Sequence, residues 1–190
     1  KTRLRSSIYT STLLVFGVLL ASGCSRISNP LGQTTVEKSG LPINTIHEVA
    51  LYFEEQVREG NRSPELVDRP DLMINSPAIV QVLRSRAARS ELIKELLDSG
   101  DMLEQSNSKI AIIRSDAYKK KGDRNSRDRN ALIVISENVD RVTLYDALRK
   151  SNGFPPTTRE VIEKIFFDAR ISGLETGQKY HGADKEILVR

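Results

Sequence analysis

The chain has 190 residues, with 29 Lys and Arg against 25 Asp and Glu and a formal charge of +4 at pH 7. Three of the basic residues, Lys1, Arg3 and Arg5, stand at the start, so beyond residue 23 the balance is 26 basic to 25 acidic, too even for a nucleic-acid footprint. With 38% hydrophobic residues, 28% charged residues and one cysteine, the composition excludes a disordered chain and a disulfide-stapled one.

The basic start precedes an apolar stretch over residues 13–20, and small residues follow. That is the three-part layout of a secretory signal peptide over residues 1–23. The run is too short to cross a hydrocarbon core of about 30 Å, which takes about 20 apolar residues as a helix. Ala21-Ser22-Gly23-Cys24 resembles the lipobox of bacterial lipoproteins, whose cysteine receives a diacylglyceryl group and becomes the new first residue. Ala21 stands where an aliphatic residue is usual, and Leu20 falls one place early. The resemblance implies acyl chains such as palmitate on Cys24, and Lys1 in place of Met sets the expected start a little upstream. Ser25 in place of Asp implies, by the same likeness, the outer membrane rather than the inner one, with the domain facing the periplasm. Each buried CH₂ contributes about 0.8 kcal/mol, so two or three chains hold a protein that one chain binds only marginally. Residues 24–44, rich in Ser, Asn, Gly, Thr and Pro, read as a flexible tether. No later apolar run reaches spanning length.

Thr45 and Glu48 have the spacing of a capping box for a helix over residues 46–59. Val49, Phe53 and Val57 recur there every four residues, and Gly60 supplies the stop. Pro64 and Pro70 make residues 61–75 a loop, so 45–75 form an N-terminal unit of helix and loop. Ser76 as cap and Pro77 at the first helical position open a second helix that runs to residue 99 before Gly100. Its apolar stripe is Ile79, Leu83, Ala87, Ile93 and Leu96, with Arg84, Arg89, Glu91, Lys94, Glu95 and Asp98 on other faces. Residues 109–114 are β-prone. Residues 131–135 admit two readings, a buried strand paired with 109–114, or part of one helix over about 128–151. The uninterrupted spacing of Leu132, Ile135, Val139, Val142, Tyr145 and Leu148 favours the helix, ending at Asn152-Gly153. After Pro155-Pro156, Thr157 and Glu160 suggest a second capping box. The last helix follows, with Val161, Ile162, Ile165, Phe166 and Ala169 as its stripe and an end near Gly173. The expected fold is mainly α, a small domain of about four helices, with a short β-hairpin and an α+β class as the alternative. Residues 76–180 form its main helical domain and 181–190 a tail.

The catalytic inventory is thin. His47 and His181, the two histidines, lie in no ligand-spaced cluster, and the sequence has no G-x-S-x-G, P-loop or G-x-G-x-x-G. No nucleophile stands beside a base. The carboxylates fall among basic residues at helical spacing and read as solvated helix faces. Between residues 114 and 129, seven basic residues alternate with Asp116, Asp123 and Asp128. This stretch reads as a solvated loop, and Lys119, Lys120 and Lys121 are its candidates for contact with anionic headgroups. The readings name no catalytic residue, no metal and no cofactor.

The run Glu137-Asn138-Val139-Asp140-Arg141 with Tyr145, then Asn152, Glu160-Val161, Gly177 and Tyr180, resembles the YdbL-type family, small bacterial envelope proteins with a domain of unknown function. Gly100 and Glu104 fit its upstream segment, whereas Ser108 stands where the family has Gly, and the charged insert after Arg114 is longer. The likeness spans about residues 86–180. It implies a non-catalytic envelope accessory protein; some members are associated with AsmA-like bridge proteins that carry phospholipid towards the outer membrane. Asn138, Asp140 and Arg141, off the apolar stripe, are the candidates for partner contact, and Tyr145 belongs to the core with its hydroxyl at the edge. A stand-alone lipid-binding or structural lipoprotein is the alternative, and an envelope hydrolase has little support. Cys24→Ala is expected to abolish incorporation of labelled palmitate and to move the protein from the membrane to the soluble fraction. Unchanged labelling and sedimentation would remove the anchor.

Overall fold

The structure, a computed structural model, describes residues 40–190. The leader, Cys24 and most of the expected tether lie outside the described residues. The described part is 57% helical, with six helices and a four-stranded sheet, so the fold is α+β and richer in strands than the mainly α reading.

Helix α1, Ile43–Arg58, turns Ile46, Val49, Ala50, Phe53 and Val57 inward. It starts earlier than expected, at Ile43 after Pro42, and no side chain caps it. Thr45 instead donates its hydroxyl hydrogen to Asp71 at 2.8 Å, so the capping box does not form. The loop that follows is tied down by Asp68, whose carboxylate accepts from the backbone N–H groups of Ile74 and Asn75. The expected second helix is two, α2 (Pro77–Ala87) and α3 (Ser90–Asp98). Ser76 does cap the first of them, with Pro77 at its first position. The chain breaks at Ala88 and Arg89 because Arg89 turns inward to carboxylates of a later helix.

Strands β1 (Met102–Glu104) and β2 (Ile110–Ile112) form an antiparallel hairpin, with Glu104 opposite Ile110. Thus β2 pairs with β1, and not with residues 131–135. A short helix α4 (Asp116–Lys120) interrupts the charged stretch expected to be loop. Helix α5, Arg124–Ser151, then takes the whole ambiguous region as one element. Its start is capped by Asp123, which accepts from the Ser126 N–H. A 3₁₀ turn at Pro156–Thr158 leads into α6, Arg159–Ser172. The expected capping box is again absent, and the Thr158 hydroxyl bonds Pro155 O. The supposed tail supplies β3 (Lys179–His181), parallel to β1, and β4 (Ile187–Val189), antiparallel to β3. The sheet order is β2-β1-β3-β4.

Two apolar clusters result. The larger is built on α1, α2, α6 and the C-terminal half of α5, with Phe53, Tyr145 and Phe166 at tilted ring contacts. The smaller joins Leu97, Met102 and Ile110, with Val134 and Leu174 against it. The long helix buries only the last part of the stripe its spacing suggested, Tyr145 and Leu148. Ile133, Glu137, Arg141, Leu144, Tyr145 and Leu148 face inward, while Leu132, Ile135 and Val139 are 64%, 58% and 58% exposed.

Ser108, in the β1–β2 turn, has φ of +66° and is buried. A side chain there costs roughly 1–2 kcal/mol relative to glycine, and its hydroxyl, bonded to Glu163 O and Arg170, offsets the cost. Ser108→Ala is expected to lose about 1–3 kcal/mol in urea unfolding. Ser108→Gly loses the same bonds but relaxes the backbone, so it should lose roughly 1 kcal/mol less. Equal losses would contradict this account of the turn.

Candidate functional site

Glu54 sits on the inward face of α1, one turn from Ala50 and Val57. Arg86 occupies the same kind of position on α2, Glu137 and Arg141 on α5, and Arg170 on α6. Glu104 ends β1. All six are between 1% and 6% exposed. They close a ring of alternating charge. Arg86 binds Glu54 with both terminal nitrogens, at 3.1 and 2.8 Å, and donates Nε–H to Glu137 Oε1 at 2.9 Å. Arg141 donates Nε–H to the same Glu137 oxygen at 2.9 Å and grips Glu104 with two bonds of 2.7 Å. Arg170 donates to Glu104 Oε2 and to Glu54 Oε1, each at 3.1 Å, and so completes the circuit.

Arg170 also donates to the Tyr145 hydroxyl at 2.9 Å, to Ser108 Oγ at 2.8 Å and to Ser108 O at 3.2 Å. All five of its N–H donors are thereby used. Outside the ring, Arg89 donates Nη2–H to Glu137 Oε2 at 3.3 Å and to Asp140. Its buried Nε has no partner among the described residues.

The electrostatics follow from this geometry. Burial pushes the Glu54 and Glu137 carboxyls up, but the flanking guanidiniums outweigh it, and both lie below the usual glutamate range. For Arg86 and Arg141 burial acts downward and the facing carboxylates more than reverse it, so both are raised. Arg170 is raised too, against burial and the nearby Arg141, with Tyr145, Glu104 and Glu54 favouring its charge. Every oxygen of Glu54, Glu104 and Glu137 accepts at least one guanidinium hydrogen. Glu54 and Glu137 are thus held as carboxylates near neutral pH.

The reading of the carboxylates as solvated helix faces is therefore wrong for Glu54, Glu104 and Glu137. Arg141 is likewise corrected: it lies inside the ring, out of a partner's reach. Asn138 is not free either. Its carboxamide accepts from the Ile110 N–H at 2.9 Å and donates to Ile110 O at 3.0 Å, closing the outer edge of β2. Asn152 grips Met73 in the same two-bond fashion. Asp140 remains partly exposed and paired with Arg89. Tyr145 is in the core as expected, with its hydroxyl buried and bonded. Lys119, Lys120 and Lys121 are exposed, with Lys119 bound to Asp116 and Lys121 to Asp101. His47 is exposed and His181 lies in β3. Among the described residues no group of three His, Cys, Asp or Glu could hold a metal, and no helix is long and apolar enough to cross a membrane.

Comparison with known proteins finds no matching family model, no matching curated protein and no matching solved structure.

The depressed carboxylates fix the direction of pH dependence. Glu54 and Glu137 are below the ordinary value of 4.5 in the folded state, so between the two values the unfolded chain binds more protons. Their contribution is complete above about pH 5.5 and is lost progressively as pH falls below about 4.5. Urea unfolding should show a stability plateau near neutrality and a decline on acidification whose slope approaches an uptake of two protons per molecule on unfolding. A flat profile down to pH 3 would contradict the ring as drawn.

Proposed function

We propose that this protein is a membrane-tethered, non-catalytic interaction module of the cell envelope. Cys24 holds it at the bilayer, facing the periplasm, and the outer face of α5 engages an envelope protein. The YdbL-type resemblance suggests phospholipid transport or outer-membrane maintenance as the setting, and an AsmA-like lipid-transport protein as the partner. One observation carries the reading: Leu132, Ile135 and Val139 are exposed on one face of α5, with the three-then-four spacing that an apolar helix face uses to enter a groove. Partly buried Val142 continues the line. A helix that buries charges and exposes aliphatic residues has its sequence divided between two surfaces, the inner one already filled.

The ring supports the non-catalytic half of the proposal. Glu54 and Glu137 are held ionised by arginines, and a general acid or base needs a group able to change charge near the working pH. The exposed lysines 119–121 favour a location near anionic headgroups, with two of them already shared with aspartates.

A photo-cross-linking residue at Ile135, introduced in living cells, tests the contact. The expected product is one protein adduct of defined mass that disappears with Val139→Glu, a change on an exposed position that leaves the fold intact. Adducts to phospholipid alone would favour the stand-alone lipid-binding alternative, and no adduct would overturn the proposal.

A further inference from the structure

The ring is also a wall of a cavity. A space of about 80 Å³ is lined by ring residues on one side and by Val57, Ile93, Leu97 and Leu174 on the other. A buried water needs roughly 10–15 Å³ by this measure, so the space takes several waters or a chain of a few carbons. Five basic and four acidic side chains line it, which leaves one positive charge in excess.

Two arginines give that excess a direction. Arg86, fully buried, spends three of its five N–H donors on Glu54 and Glu137. Among the described residues no acceptor takes the other two, although a buried donor ordinarily finds one. Arg58, at the end of α1, is exposed at the rim and forms no ion pair among the described residues. Its guanidinium lies over Gly173, where a Cβ would come 2.0 Å from Nη2. Gly173 has φ of −94°, a backbone that any residue adopts, so the glycine there makes room for Arg58.

A lining that combines buried donors on Arg86, an exposed unpaired guanidinium on Arg58 and the aliphatic Val57, Ile93, Leu97 and Leu174 suits one class of ligand. We infer that the cavity is a binding site for a small amphipathic anion, a carboxylate carrying a short alkyl chain. The carboxylate meets Arg58 and the spare Arg86 donors, and the alkyl group lies along Val57, Ile93, Leu97 and Leu174. The site stands apart from the α5 contact face, and its test does not depend on a partner.

Calorimetric titration of the full-length chain in detergent, with detergent alone as blank, uses sodium hexanoate and inorganic phosphate as probes. Hexanoate is expected to saturate with Kd on the order of 0.1–1 mM. Arg58→Gln should weaken it roughly ten-fold through one lost charge-assisted contact. Gly173→Ala should weaken it too, by moving the guanidinium, while Lys120→Gln should leave it unchanged. Leu174→Ser should weaken hexanoate more than it weakens acetate, a difference that a general loss of structure would not produce. Three results would overturn the inference: no saturation of hexanoate, phosphate binding as tightly as hexanoate, or hexanoate binding indifferent to Arg58→Gln and Gly173→Ala.

Discussion

Three carboxylates and three guanidiniums removed from water would each cost several kcal/mol if left unpaired. Here each faces two opposite charges, because Glu54, Arg86, Glu137, Arg141, Glu104 and Arg170 close on themselves. The alternation matters more than the count. Any open chain of the same groups would end on charges with a single neighbour, whereas the closed circuit has no end. Such a network adds little net stability compared with an apolar interior of the same shape. What it adds is geometry. The two-pronged grips of Arg86 on Glu54 and of Arg141 on Glu104 are planar and directional, so α1, α2, α5, α6 and β1 meet in one register. Apolar contacts alone would tolerate sliding.

Much of this architecture was legible in the sequence. The α5 helix followed from its unbroken three-and-four spacing, and Gly60, Gly100, Asn152-Gly153 and Gly173 marked helix ends that the structure places nearby. Ser76 and Pro77 began α2 as their chemistry dictates. The capping boxes at Thr45 and Thr157 failed because nearby groups took the threonine region over: Asp71 engages Thr45, and the Pro156–Thr158 turn precedes α6. The β1, β3 and β4 strands were missed because each has only three residues, too few to show a period of two; β2 is as short, but it lies in the β-prone run 109–114.

The ring escaped sequence reading for a deeper reason. Hydrophobic periodicity assumes that the inward face is apolar, and on α5 the inward face carries Glu137 and Arg141 while Leu132, Ile135 and Val139 point out. Read by hydrophobicity, the helix is rotated as far as Val139, while Tyr145 and Leu148 are buried as their spacing suggests. One signal was available: Glu137 and Arg141 are four apart and in phase with Ile133, Leu144, Tyr145 and Leu148, and Glu54 is in phase with Ala50 and Val57. Opposite charges in phase with core positions on several helices are what a buried network looks like along a chain. The same inversion links fold to function. Since Glu137 and Arg141 take inner positions, Leu132, Ile135 and Val139 are left for the surface, and the ring residues line the cavity beside α1 and α6.

A double-mutant cycle on Glu104 and Arg141 tests the closed ring most directly. Glu104→Met and Arg141→Met should each lower unfolding free energy by about 3–5 kcal/mol, because each strands the charges it leaves behind. The joint change should lose clearly less than their sum, with a coupling of roughly 2 kcal/mol or more. Single losses below about 1 kcal/mol that add without coupling would show that these charges do not hold the interior together.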